Sequence, residues 1–446
     1  MTSGPQHRIA ALTGLRAVAA LMVVGTHAFF WTGNYTEDAF GYFGARLEAG
    51  VALFFALSGY LLFRRWVHSQ RTGAPLPATW QYLRRRARRI LPAYWIVVTV
   101  VYLVYLVRDA GPFGRGWNGY LRNMTLTQIY GYGHAHESLT QMWSIAIEAS
   151  FYLVLPAAGW AITVLIRRRN PAPYQALLFV VLLAAMSPLW IWATHSDGFY
   201  ALPGIDAAGV DVTAQLWLPG FFAWFAGGMA LAVIEPELRD RGWLGPGIGR
   251  ERSPGRSRGR TVRGLGTGAC LLVAGGAYAA ACTAFAGTGT IMPADLSQSL
   301  TKNALYTVFA VATLTPLALA RTGSRPGLYE RFLASRPIVW LGGISYEIFL
   351  IHLLVMDLMM DAIGYRPFHG SIFTLFEVTI LITVPLAWLL ARLTQPRRER
   401  RPRTRRPRSG DGRPQPRQRP VAENSSSTAF ASDKSTPSPA TQSSSK

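Results

Sequence analysis

Residues 9–31 read IAALTGLRAVAALMVVGTHAFFW, and the fold class turns on this stretch. A helix of about 17 to 25 apolar residues crosses a bilayer's hydrocarbon core, and this run has that length. A secretory signal would have an uncharged apolar part followed by a small-residue cleavage site. This run holds Arg16 and His27 and no clear cleavage site follows, so it is expected to stay as an anchor.

Nine further runs of similar character follow: 50–66, 90–107, 143–166, 175–193, 216–234, 265–286, 303–320, 338–360 and 372–393. They predict an all-α polytopic membrane protein with about ten transmembrane helices. Composition agrees, because 50% of the 446 residues are hydrophobic and 15% charged, where a soluble domain carries about 25% charged residues. A net charge of +22 raises the alternative of a nucleic-acid binder, and the placement of the charge excludes it. If every run spans, 38 of the 45 Lys and Arg lie on the N-terminal side, six lie on the other, and Arg16 is within the membrane. This positive-inside pattern puts both termini in the cytoplasm of a multi-pass protein of the cell membrane. The expected division is a transmembrane domain over 1–394 and a disordered, basic and Ser-rich tail over 395–446 that lies on acidic head groups. The segment around Gly245 to Gly264 reads as a flexible inner loop. Cys270 and Cys282, twelve positions apart in one apolar run, are too distant for a disulfide and read as structural.

An ionisable residue inside a spanning helix costs several kcal/mol unless it faces protein, water or a partner, so each is a functional candidate. Arg16 and His27 are eleven positions apart, about 20° beyond three full turns, and share one stripe about 16 Å apart in depth. Arg16 alone would also fit a cation snorkelling to the interface. The fourth run opens QMWSIAIEASFY, with Ser144, Glu148 and Tyr152 at i, i+4 and i+8 on one face. Glu148 and His27 fall at similar depth, which allows a His–carboxylate pair of the kind that orients a general base. Ser345 and His352 share a stripe that also suits the site, while Glu377 has no evident partner other than Arg16, whose charge it could neutralise. In YLRRRARRILPAYW, Arg86 and Arg89 are three apart and form a fork suited to phosphate, whether of a lipid head group or of a diffusible cosubstrate. No Walker loop and no metal-ligand spacing is present, and His134 and His136 read as loop residues.

Together these stretches resemble the acyltransferase-3 family of integral-membrane acyl transferases. LTGLRAVAALMVVGTHA resembles its opening Arg and His, here Arg16 and His27. GVALFFALSGYLLF resembles its second-helix pattern, with Ser58 and Gly59. RRARRILPAYW carries its Arg-x-x-Arg element, WSIAIEASFYLVLP its Trp-Ser…Glu…Phe-Tyr element, here from Trp143 on, and GISYEIFLIH its late Ser-Tyr…His element, ending at His352. Ala149 and Ser150 stand where many members have Glu and Gln, and with no esterase-like domain after the last run the chain reads as a stand-alone member. The resemblance implies an enzyme that moves an acyl group, commonly acetyl, from acyl-CoA as cosubstrate to a hydroxyl of a carbohydrate, glycolipid or glycosylated metabolite, with no bound cofactor. His27 would be the general base, with Arg16 and Glu148 beside it. Arg86 and Arg89 would hold the CoA phosphates, and Ser58, Gly59, Trp143, Ser144, Tyr152 and His352 would form the pocket. The rival reading is a transporter or flippase, since buried Arg, His and Glu also mark transport pathways.

Overall fold

The computed structural model describes residues 5–108, 114–131, 133–167, 173–200, 213–244, 261–288, 294–321 and 325–395. The tail from 396 on and most of the 245–264 loop lie outside the described residues, within which all regular structure is helical. Eleven helices carry the architecture: α1 Pro5–Trp31, α2 Gly50–Thr72, α3 Thr79–Val104, α4 Trp143–Arg167, α5 Pro173–Ala193 and α6 Phe222–Asp240, then α7 Thr261–Ala281, α8 Leu296–Ala318, α9 Arg336–Gly343, α10 Ser345–Ala362 and α11 Ile372–Thr394. Every apolar run is helical over most of its length. Seven are long and apolar enough to cross a membrane, or eight if α9 and α10 count as one span.

The departures from ten clean spans have local causes. The ninth run is two helices bent by 70°, broken at Ile344 directly after Gly342 and Gly343, where backbone freedom is greatest. The seventh offers only a shorter apolar helix, Gly266–Ala281. The eighth starts earlier than its apolar part because Asp295 and Gln298 form a capping box that nucleates a polar first turn.

Two other helices run further than their apolar residues. Helix α2 passes Phe63 to reach Thr72, since Arg64 has an anionic partner: Glu235 of α6 lies 3.2 Å from its Nε and 2.7 Å from Nη1 of Arg8 in α1. Helix α3 begins at Thr79, so Arg86 and Arg89 sit in a formed helix, one turn apart, as the strong helix propensity of Arg and Ala favours.

Small residues set the closest packing. A Cβ on Gly59 of α2 would lie 2.1 Å from the Phe225 carbonyl oxygen in α6, and one on Gly228 would lie 1.9 Å from the Ala56 oxygen. Gly59 therefore serves helix packing and not the pocket to which the sequence motif assigned it. Gly59→Ala should destabilise the protein by about 1–3 kcal/mol, read as a lower thermal midpoint in detergent.

Candidate active site

Five helices enclose a cavity of about 330 Å³: α1 gives it Arg8 and Arg16, α2 gives Val51, Phe54, Ser58, Arg64 and Arg65, α3 gives Arg86 and Arg89, α4 gives Ser144, Glu148 and Tyr152, and α10 gives Ser345 and Phe349. Val51 and Arg64 are thirteen positions apart on one helix, so the cavity extends about 20 Å from its arginine mouth to its far end.

The face of α4 read from spacing points into this cavity as a unit. Ser58 Oγ donates to Glu148 Oε1 at 2.5 Å, and the Tyr152 hydroxyl donates to the same oxygen at 2.7 Å. The Arg86 guanidinium lies over the Tyr152 ring, 5.8 Å from its centroid. Arg16 is close enough to Glu148, Arg86 and Arg89 to interact with each electrostatically. One carboxylate among so many guanidinium groups leaves the cavity positive and attractive to anions. The Nε of Arg86 is also buried without a hydrogen-bond partner, a donor left over for a ligand.

His27 and His352 lie elsewhere. Neither lines the cavity, and the His27–Glu148 pair allowed by depth does not form: Glu148 is taken by Ser58 and Tyr152, whereas His27 Nδ1 is 3.1 Å from His352 Nε2. The two rings sit one turn beyond Phe349 of the cavity wall, the His352 ring 5.8 Å from that of Phe349. Their hydrogen bonds fix the proton positions for neutral rings. His352 Nδ1 is 2.8 Å from the Phe349 carbonyl, which can only accept, so Nδ1 bears the proton and Nε2 keeps its lone pair. His27 must then donate its Nδ1–H, shared between His352 Nε2 and the Val23 carbonyl at 2.8 Å. His27 Nε2 retains an unshared lone pair and makes no hydrogen bond among the described residues, the state a general base requires.

Two further positions, Trp143 and Glu377, differ from expectation, while His136 is in a loop as read. Trp143 faces a second cavity and not the first. Glu377 is exposed, and the charged groups acting on Arg16 are Arg86, Arg89 and Glu148. His136 is buried, held neutral down to a pKa of about 4 by burial with help from Arg115, and accepts from the Ser138 N–H at the start of a turn. Among the described residues no three His, Cys, Asp or Glu side chains are placed to hold a metal ion.

Known proteins align along this same framework. Peptidoglycan O-acetyltransferase OatA of Listeria monocytogenes is 27% identical over 373 residues, 78% of this chain and 50% of that protein. YrhL of Bacillus subtilis is 24% identical over 399 residues, 84% of this chain and 53% of that protein. O-acetyltransferase OatA of Staphylococcus aureus is 24% identical over 358 residues, 76% of this chain and 50% of that protein. This chain therefore spans about half the length of the curated relatives it matches. No solved structure matches it. The model of the acyltransferase-3 domain covers residues 9–392, from the first residues of α1 to the end of α11, and the chain belongs to that family.

Proposed function

We propose that this chain is a membrane O-acyltransferase that moves an acyl group, in the first instance acetyl, from acyl-CoA to a hydroxyl of a carbohydrate or glycosylated molecule. The observation that carries this reading is the long arginine-mouthed cavity whose wall residue Phe349 touches His352, the hydrogen-bond partner of a histidine with a free lone pair. Arg86 and Arg89 hold the phosphates of CoA at the mouth, and the pantetheine arm lies along the cavity past Ser58 and Glu148. His27 Nε2 takes the proton of the acceptor hydroxyl as its oxygen attacks the thioester carbonyl. The C–O bond forms, the tetrahedral oxyanion collapses, the C–S bond breaks, and the proton held by His27 passes to the departing thiolate.

In the membrane we place α1 to α8, the α9–α10 pair and α11 as ten spans, with the arginine mouth and both termini on the cytoplasmic face of the cell membrane. Acyl-CoA then arrives from the cytosol and the acceptor from the other side. The names of two relatives, of Listeria monocytogenes and Bacillus subtilis, as O-acetyltransferases of peptidoglycan support a cell-envelope glycan as acceptor.

The test is label transfer. Purified protein in nanodiscs, given acyl-CoA labelled in its acyl group and a glycan, should yield labelled glycan. Movement of unmodified glycan across vesicles without label transfer would favour a transporter instead. In the active system, Arg86→Ala with Arg89→Ala should raise the KM for acyl-CoA at least about tenfold, since each lost charged hydrogen bond contributes about 1.5–3 kcal/mol. The thermal midpoint should stay near that of the wild type. An unchanged KM would leave the two arginines as lipid anchors.

A further inference from the structure

A second cavity of about 200 Å³ lies at the opposite end of α2 from the arginine mouth. Val51 lines both cavities, and Trp143 of the second is adjacent in α4 to Ser144 of the first, so the two meet end to end. The second is small: pockets for drug-sized ligands run to about 300–1,000 Å³, so this one suits a single ring.

Its walls have two characters. One is a run of rings, with centroids 5.1 Å apart for Trp143 and Phe221, 4.9 Å for Phe221 and Trp224, and 5.9 Å for Trp224 and Tyr306. The other is charged. Glu48 Oε1 accepts from the Tyr306 hydroxyl at 2.9 Å and lies 3.5 Å from the Lys302 ammonium, while Oε2 has no partner among the described residues. The Glu48 side chain is 41% exposed although it sits on the cavity wall between helices, so its open face is the cavity. Beside an unshared carboxylate oxygen, the ammonium has N–H donors to spare, and together they match the donor and acceptor of neighbouring hydroxyls. A phosphate would meet the Glu48 carboxylate, and an acyl chain would strand the ion pair. A pyranose satisfies both walls, with its C–H face on the rings and its hydroxyls on Glu48 and Lys302. Glu48 is also near enough to His27 to act on it electrostatically, so this cavity lies on the side of the base.

We propose that this second cavity is the acceptor subsite and binds one sugar ring of a glycan by aromatic stacking and the Glu48–Lys302 pair. Transfer to that sugar rests on the acyltransferase reading; binding of the sugar does not, and the experiment separates them. Protein in nanodiscs is titrated with chitotetraose, and in parallel with maltotetraose, without acyl-CoA, and saturation transfer to the sugar ring protons is recorded by NMR. Wild type should bind at least one of the two. Glu48→Gln with Lys302→Met, which removes both charges together and keeps the volumes, should weaken binding at least tenfold, and Trp143→Ala should do the same through the stacking wall. In label transfer these variants should raise the KM for the glycan at least tenfold with the KM for acyl-CoA unchanged, which a misfolded protein would not do. Binding of neither sugar by the wild type, or undiminished binding in the double variant, overturns the proposal. Sugar binding that responds to these variants in a protein that transfers no label supports the subsite and overturns the acyltransferase reading instead.

Discussion

Alanine at His27 is expected to lower acyl transfer by about 10²–10⁴-fold, the range that a positioned general base contributes. The neutral ring has one lone pair not engaged by protein, at Nε2, and that lone pair receives the acceptor proton. Glu148 already accepts two hydroxyl donors on one oxygen, from Ser58 and Tyr152. The Kd for acyl-CoA should stay within about twofold, because the phosphate clamp is untouched and lies at the other end of the cavity. Equilibrium binding of acyl-CoA to the His27→Ala protein, beside its rate of label transfer, gives both numbers. Transfer at more than a tenth of the wild-type rate would remove His27 from the role of base.

Leucine at His352 should lower kcat by about ten- to a hundredfold with both KM values unchanged. His352 is a positioning residue: when His27 takes the acceptor proton its ring becomes cationic, and His352 Nε2 then accepts a hydrogen bond from a charged donor, an interaction of about 1.5–3 kcal/mol. His352→Gln offers a carbonyl oxygen in place of that lone pair and should recover a large part of the rate, which a merely structural loss would not do. Stopped-flow single-turnover rates for the three proteins test this. Equal rates for the Leu and Gln variants would leave His352 as packing alone.

Much of the arrangement was legible because helical spacing is rigid. Ser144, Glu148 and Tyr152 recur every four residues on an apolar background, so they had to share a face, and the structure turns that face into the cavity. Arg16, Ser58, Arg86 and Arg89 reach the same cavity, each from a segment whose residues broke an apolar pattern.

What spacing leaves open is rotation and partner choice between helices. Depth put His27 level with Glu148, but depth is one coordinate of three, and the ring turned to a histidine 325 positions away. Gly59 sat in a motif beside Ser58, and only the approach of the Phe225 backbone distinguishes a glycine kept for contact from one kept for a pocket. The second cavity has residues from several helices and no motif. Its sequence signal is Glu48, an acid at the lip of an apolar run, where a charge needs protein, water or a partner just as Glu148 does. The start of α8 was also readable, since the Asp-x-x-Gln of its capping box is a local signature.

The break between α9 and α10 has an electrical consequence. An unbroken span keeps both ends of its aligned peptide dipoles near the head groups, where water screens them. Here a new helix begins at Ser345, within the protein and on the cavity wall, one residue before Tyr346, which lines it too. The first turn of α10 thereby brings the equivalent of about half a positive elementary charge to the cavity wall, while the Glu347 carboxylate of that turn is directed away from the cavity, onto Gln395. That field adds to the arginines' along the length of the cavity, so a travelling anionic group meets a potential that draws it inward well after it has left bulk solvent.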